Sequence, residues 1–160
     1  MTTRSGLDVL RAESFARLRG LRLGVLCHAA SVAADLTHIL ELFSAAGLDV
    51  RVVFAPEHGL AGAAQDMQPV AGEGGSCAAG AQVISLYGDT EASLHPPAEA
   101  LSDIDLLVVD LQDVGARYYT FASTMRYCMQ ACAETGVRVM VLDRPNPING
   151  VRSEEHTSEL

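Results

Sequence analysis

The 160-residue chain has no lysine and no tryptophan; apart from five histidines, every cation is an arginine. Eleven arginines against 20 Asp and Glu give a net charge of −9. Binding a nucleic-acid backbone needs clustered cations to neutralise phosphates, and no basic stripe exists, so no nucleic-acid partner is expected. Long apolar runs are also missing. None approaches the ~18–20 residues of a membrane span, and mean hydropathy is only +0.19, so no membrane partner is expected. Residues 1–20 contain no continuous apolar core of the kind a signal peptide needs. As it stands the sequence reads as cytoplasmic; a start further upstream would make it periplasmic or secreted.

Several motifs are absent too. No G-x-G-x-x-G follows the first strand and no G-x-x-x-x-G-K-[ST] occurs, which argues against a dinucleotide or NTP cofactor. No G-x-S-x-G occurs, which argues against a serine esterase. The four cysteines, Cys27, Cys77, Cys128 and Cys132, form no C-x-x-C pair, so zinc and thioredoxin-like chemistry lack support. Cys128 and Cys132 are four residues apart on an expected helix and read as small buried thiols in a reducing compartment. Glu57, His58, Asp110 and Asp143 are the metal-ligand types that come nearest to a set, but no spacing demands one. No metal and no cofactor are expected.

What is present is an alternation of short apolar runs with amphipathic stretches. Strands are expected at 23–27, 50–54, 82–86, 104–111 and 137–142. Helices are expected at 7–18, after Asp35 as cap and up to Gly47, after Pro96 and Pro97, and at 119–135 up to Gly136. A Gly/Ala-rich stretch, 59–80, reads as a long loop. Strands apolar on both faces and separated by helices make a parallel sheet covered on both sides. The fold class is therefore α/β, a Rossmann-like parallel sheet with helices on both faces, incomplete at its C-terminal end.

In such sheets ligands sit outside the carboxyl ends of the strands. The five exits carry Cys27-His28-Ala29-Ala30-Ser31, Pro56-Glu57-His58-Gly59, Tyr87-Gly88-Asp89, the run from Asp110 to Tyr119, and Asp143-Arg144-Pro145-Asn146-Pro147. Together they form a rim of carboxylates, imidazoles, guanidinium groups and phenols.

Four ordered segments carry a resemblance: 54–59 (FAPEHG), 85–88 (SLYG), 110–120 (DLQDVGARYYT) and 142–147 (LDRPNP). With the opening Gly6-Leu7-Asp8-Val9-Leu10, they are similar to the NamZ-type exo-β-N-acetylmuramidase family over residues 6–151. The resemblance implies a bacterial cell-wall-recycling hydrolase that releases N-acetylmuramic acid from the non-reducing end of peptidoglycan fragments. It also implies a Rossmann-like N-terminal domain followed by a smaller C-terminal one, with a muropeptide-type sugar as substrate.

Glycoside hydrolysis needs a carboxylic acid to protonate the leaving oxygen and usually a second carboxylate. Glu57 is the candidate acid, in a loop where partial burial would raise its pKa; a helix-capping role is the alternative. Asp110 and Asp143 are candidates for the second carboxylate, with Asp113 behind them. Asp113 could instead cap the next helix, and Asp143 could pair with Arg144 or Arg117. A lactyl carboxylate suits a guanidinium fork, which makes Arg117 and Arg144 candidate binders, or else partners in structural ion pairs. Tyr119 and Tyr118 suit ring stacking, though one belongs to a helix core face. His58 and His28 are candidates for contacting substrate, and His58 also for orienting Glu57. Asn146, between two prolines, is a candidate donor to sugar hydroxyls or a plain turn residue. The alternatives to a glycosidase are a metal-assisted hydrolase using the same rim, a non-catalytic sugar-binding α/β module, and an inactive fragment.

The segment Arg152-Ser153-Glu154-Glu155-His156-Thr157-Ser158-Glu159-Leu160 breaks the pattern. It has no apolar periodicity and back-translates as AGA TCG GAA GAG CAC ACG TCT GAA CTC, a sequencing-library adapter read in frame. Residues 1–151 are therefore expected to be the catalytic N-terminal domain and 152–160 a non-native tail. Without the tail's one Arg and three Glu the charge is still −7 of the original −9. Resequencing the locus from intact DNA should replace these nine codons; finding them unchanged before a stop would make the tail genuine.

Overall fold

The computed structural model describes residues 3–57, 80–88, 90–115 and 119–146. The chain runs α1 (Gly6–Ala12), β1 (Arg22–Cys27), α2 (Ile39–Ala45), β2 (Asp49–Ala55), β3 (Gln82–Ser85), α3 (Ala98–Ser102), β4 (Leu106–Asp110), α4 (Phe121–Thr135) and β5 (Arg138–Val141). The five strands form one sheet in the order β3-β2-β1-β4-β5, every pair parallel. This is the expected Rossmann-like α/β class. Among the described residues no helix is long and apolar enough to cross a membrane. The expected loop at 59–80 falls almost wholly outside the described residues, and the expected tail falls entirely outside them.

Burial explains the strands. β4 is buried at all five positions, and β1 at all but Arg22. Alternate residues therefore feed two cores. Leu23, Val25, Val53, Leu106 and Val108 meet Leu7 and Leu10 of α1 and Ile39 and Phe43 of α2 on one face. Leu26, Val52, Phe54, Leu107 and Val109 meet Leu101 of α3 and Cys128 and Cys132 of α4 on the other. Phe43 alone, fully buried, contributes about 1.5–3 kcal/mol. The two α4 thiols belong to this core, as their shared helix face implied.

One helix end and one helix start differ from the sequence reading. The first helix stops at Ala12 because Ser14 and Phe15 take positive φ (51° and 55°); a 3-10 turn at Ala16–Leu18 follows. The reversal lets the Phe15 ring pack edge-on against Phe43, 5.5 Å between centroids. The second helix is capped not by Asp35 but by His38, whose side chain accepts the Leu40 N–H. Asp35 instead pairs with Arg11 of α1 at 2.8 Å and accepts the Thr37 N–H.

α1 is docked against the exit of β5. The Gly6 N–H donates to the Asp143 carbonyl at 2.8 Å, and a Cβ at Gly6 would lie 2.7 Å from the Leu142 Cα. Only glycine allows backbone to approach backbone this closely. Asp8 then accepts the Ala34 N–H, tying the same helix to the loop after β1. Gly6→Ala should therefore force the helix off the sheet and cost about 1–3 kcal/mol, read as a lowered midpoint in urea. An unchanged midpoint would show that the contact carries no stability.

Candidate functional site

The strand order reverses between β1 and β4, where doubly wound sheets open their ligand crevice. Hydrogen bonds stitch the floor of that crevice. Ser31, with no exposed surface, accepts the His28 N–H at 2.9 Å and donates its hydroxyl to the Asp110 carbonyl. The Gln112 N–H donates to His28 Nε2 at 3.0 Å. A neutral His28 therefore keeps its proton on Nδ1. His38 has the opposite tautomer: Nδ1 accepts the Leu40 N–H at 3.3 Å, so Nε2–H is free to donate to the His28 carbonyl at 3.0 Å.

Beneath these bonds lies an ion pair. Arg144 donates Nε to Asp110 Oδ1 at 2.5 Å and Nη2 to Oδ2 at 2.7 Å. Nη2 also donates to the Val32 carbonyl at 2.9 Å. The Asp110 side chain is 0% exposed and that of Arg144 8%. Burial pushes the Asp110 carboxyl up from its ordinary value, and the Arg144 fork works against that push. Three strand exits, those of β1, β4 and β5, meet in this pair. Both Asp110 oxygens and most of the Arg144 fork are thereby occupied.

Above β4 and β5 lies a cleft of about 240 Å³. Asp113, Asp143, Arg144 and Asn146 line its polar side, and Phe121 and Met125 its apolar side. Asp143 is exposed. Next to the cleft-lining Asn146 stands Gly115, with a φ of +72° and so close that a Cβ there would lie 2.5 Å from Nδ2. Asp113 lines the cleft and does not cap α4; the N-cap residue is Thr120.

Glu57 stands two residues beyond β2, half-buried, and does not line this cleft. Its Oε2 accepts a 2.7 Å hydrogen bond from the Thr120 hydroxyl. β2 lies three strand positions from β5, about 14 Å at the backbone level. Glu57 and Asp143 thus share one sheet edge with room between them. Tyr119, 42% exposed, stacks edge-on against Phe121 at 5.0 Å, and Phe121 stacks likewise against His28 at 4.7 Å. These rings join the start of α4 to the exit of β1.

Of the residues named from sequence, Glu57, Asp110, Asp143, Tyr119, Arg144, Asn146 and His28 all lie along this edge, whereas His58 and Arg117 are outside the described residues. Asp143 is not the partner of Arg144; Asp110 is. Two residues carry no role in the sequence reading. Ser31 is a buried hydroxyl with bonds to two strand exits, and the only hint of it was its place in the first exit loop. Thr120 falls in the first turn of the helix expected at 119–135, where nothing in the sequence sets it apart. It occupies the N-cap position yet makes no side-chain cap bond, although such a bond contributes about 1 kcal/mol. Among the described residues no group of three or more His, Cys, Asp or Glu is placed to hold a metal ion.

Residues 23–159 match the family model described as exo-beta-N-acetylmuramidase NamZ, N-terminal. The chain is 39% identical over 147 residues to the peptidoglycan beta-N-acetylmuramidase NamZ of Bacillus subtilis (strain 168), covering 91% of this chain and 34% of that protein. Crystal structures of two DUF1343 family proteins from Bacteroides fragilis NCTC 9343 are also similar. One has a TM-score of 0.78 at 36% identity over 93% of this chain, the other 0.66 at 29% over 92%. The chain spans 36% of the length of each.

The floor of the crevice should respond to pH. Burial, and then the nearby Arg144 and His38 charges, lower the His28 pKa from 6.5 to about 4. Between those values the unfolded chain binds a proton that the folded one refuses, so stability rises with pH there. The His28 contribution is complete above pH 6.5 and is lost as pH falls toward 4. Urea midpoints should drop across this window, and His28→Gln should flatten the drop. Equal slopes for both proteins would remove His28 as the cause.

Proposed function

The chain belongs to the family of the exo-β-N-acetylmuramidase NamZ N-terminal domain, and from that premise we propose that it hydrolyses the glycosidic bond of a terminal N-acetylmuramic acid. The substrate is the non-reducing end of a peptidoglycan fragment, and the cellular role is recycling of cell-wall sugar. One observation supports the assignment of the acid: the Glu57 carboxyl group, just beyond β2 on the edge that also carries Asp143, accepts a hydrogen bond from the Thr120 hydroxyl at the start of α4.

In this reading Glu57 protonates the departing glycosidic oxygen. Asp143 is assigned as the second carboxylate, since it is exposed and lines the cleft, and the Glu57 side chain spans part of the separation by reaching Thr120, next to the cleft-lining Phe121. Asp110 serves instead as the anchor for Arg144, because both its oxygens already accept from the guanidinium. With the Arg144 fork occupied, the lactyl carboxylate falls to Arg117. Tyr119 offers an exposed ring face for the sugar, and Asn146 an amide for its hydroxyls. His28, half-buried and held by the Gln112 N–H, fastens the crevice floor and is assigned no proton-transfer role.

Glu57→Gln keeps the shape of the side chain and removes its proton. In the full-length gene product it should lower turnover of a muramic-acid disaccharide about 10²–10⁴-fold, the usual weight of a general acid. Release of N-acetylmuramic acid at the parental rate would end the assignment.

A further inference from the structure

We propose that Thr120 is a positioning residue for Glu57: its hydroxyl holds Oε2, so that Oε1 faces the leaving group. This rests on Glu57 being the acid.

The backbone as well as the hydroxyl is set for this contact. Ser5 and His38, which precede α1 and α2, have extended backbones (φ −68°, ψ 157° and φ −70°, ψ 145°), and each side chain accepts a backbone N–H of its own helix. Extended backbone is what lets an N-cap side chain fold back over the first turn. Thr120 is of a favoured capping type but has φ −84° and ψ −4°, which is helical, and it makes no cap bond. Its hydroxyl is directed across to Glu57 Oε2 at 2.7 Å. The longest helix of the described fold thus forgoes its own cap, and the hydroxyl is used on another element. A local rule broken without local benefit is expected where a residue serves function.

The position is fixed from both sides. Thr124 donates its N–H (2.9 Å) and its hydroxyl (3.3 Å) to the Thr120 carbonyl. On either flank, Tyr119 and Phe121 are stacked on one another and Phe121 on His28. A threonine hydroxyl has one proton. Donated to Oε2, it leaves Oε1 to meet substrate; among the described residues no hydrogen bond engages Oε1. A proton on Oε1 can then reach the glycosidic oxygen, where the departing sugar leaves as its alcohol.

The test compares Thr120→Val, Thr120→Ala, Thr120→Ser and Glu57→Gln in the full-length gene product on two substrates. One is a muramic-acid disaccharide, whose sugar leaving group needs protonation. The other is a dinitrophenyl muramide, whose leaving group departs unprotonated. Thr120→Val and Thr120→Ala should lower kcat on the disaccharide about 10-fold or more, the weight of one hydrogen bond to a charged group, with KM little changed. The dinitrophenyl substrate should be nearly unaffected, since it needs no acid, and Thr120→Ser should restore the disaccharide rate. Equal losses on both substrates, or a loss that tracks a lowered melting temperature, would make the role merely structural and overturn the proposal. Parental rates for both Thr120→Val and Thr120→Ala beside an inactive Glu57→Gln would also overturn it and leave Glu57 standing. An active Glu57→Gln would remove the acid assignment and Thr120 with it.

Discussion

The ion pair between Asp110 and Arg144 is the constraint on which the rim depends. A carboxylate and a guanidinium with almost no solvent exposure are costly to bury and stay in place only while each satisfies the other. The arrangement does so with two parallel bonds, and the remaining reach of the guanidinium goes to the Val32 carbonyl. Loss of one partner would strand a buried charge, at about 3–5 kcal/mol. Because Asp110 ends β4, Arg144 follows β5 and Val32 lies in the loop after β1, the pair fixes how three strand exits stand to one another. The Ser31 and His28 bonds then fasten the same loops a second time.

That frame separates two kinds of polar residue that look alike in a sequence. Asp110 and Asp143 both follow apolar strands, and both read as acids at a rim. Only the fold distinguishes them: Asp110 is the last residue of its strand and its side chain turns into the interior, while Asp143 stands exposed beyond Val141. A two-residue difference in position relative to the strand end separates anchor from open carboxylate, and boundaries are the part of a strand that apolar pattern marks least well. Arg144 shows the same ambiguity, since a guanidinium suited to a ligand carboxylate is equally suited to a buried one.

The sheet was legible because burial on both faces leaves unbroken apolar runs such as Leu106–Val109 and Leu23–Cys27. Glycine at 47 and at 136 marked helix ends correctly, each with positive φ. Less legible were features set by distant contacts. The break after Ala12 follows from Phe15 finding Phe43, and the choice of His38 over Asp35 as cap follows from Arg11 taking Asp35. Ser31 and Thr120 were invisible for a similar reason: a hydroxyl has no signature until its partner, on another strand or helix, is known. Family resemblance marked Glu57 as a candidate, and the fold sets the Thr120 hydroxyl against it.

The glycine-tight seating of the first helix has a practical bearing. The amide of Gly6 touches the peptide that carries Asp143, so the first turn of α1 acts as a buttress for the far rim. An affinity tag or fusion partner joined close to Ser5 would push directly on that buttress. A long flexible spacer before the first turn would leave the alignment of the cleft undisturbed.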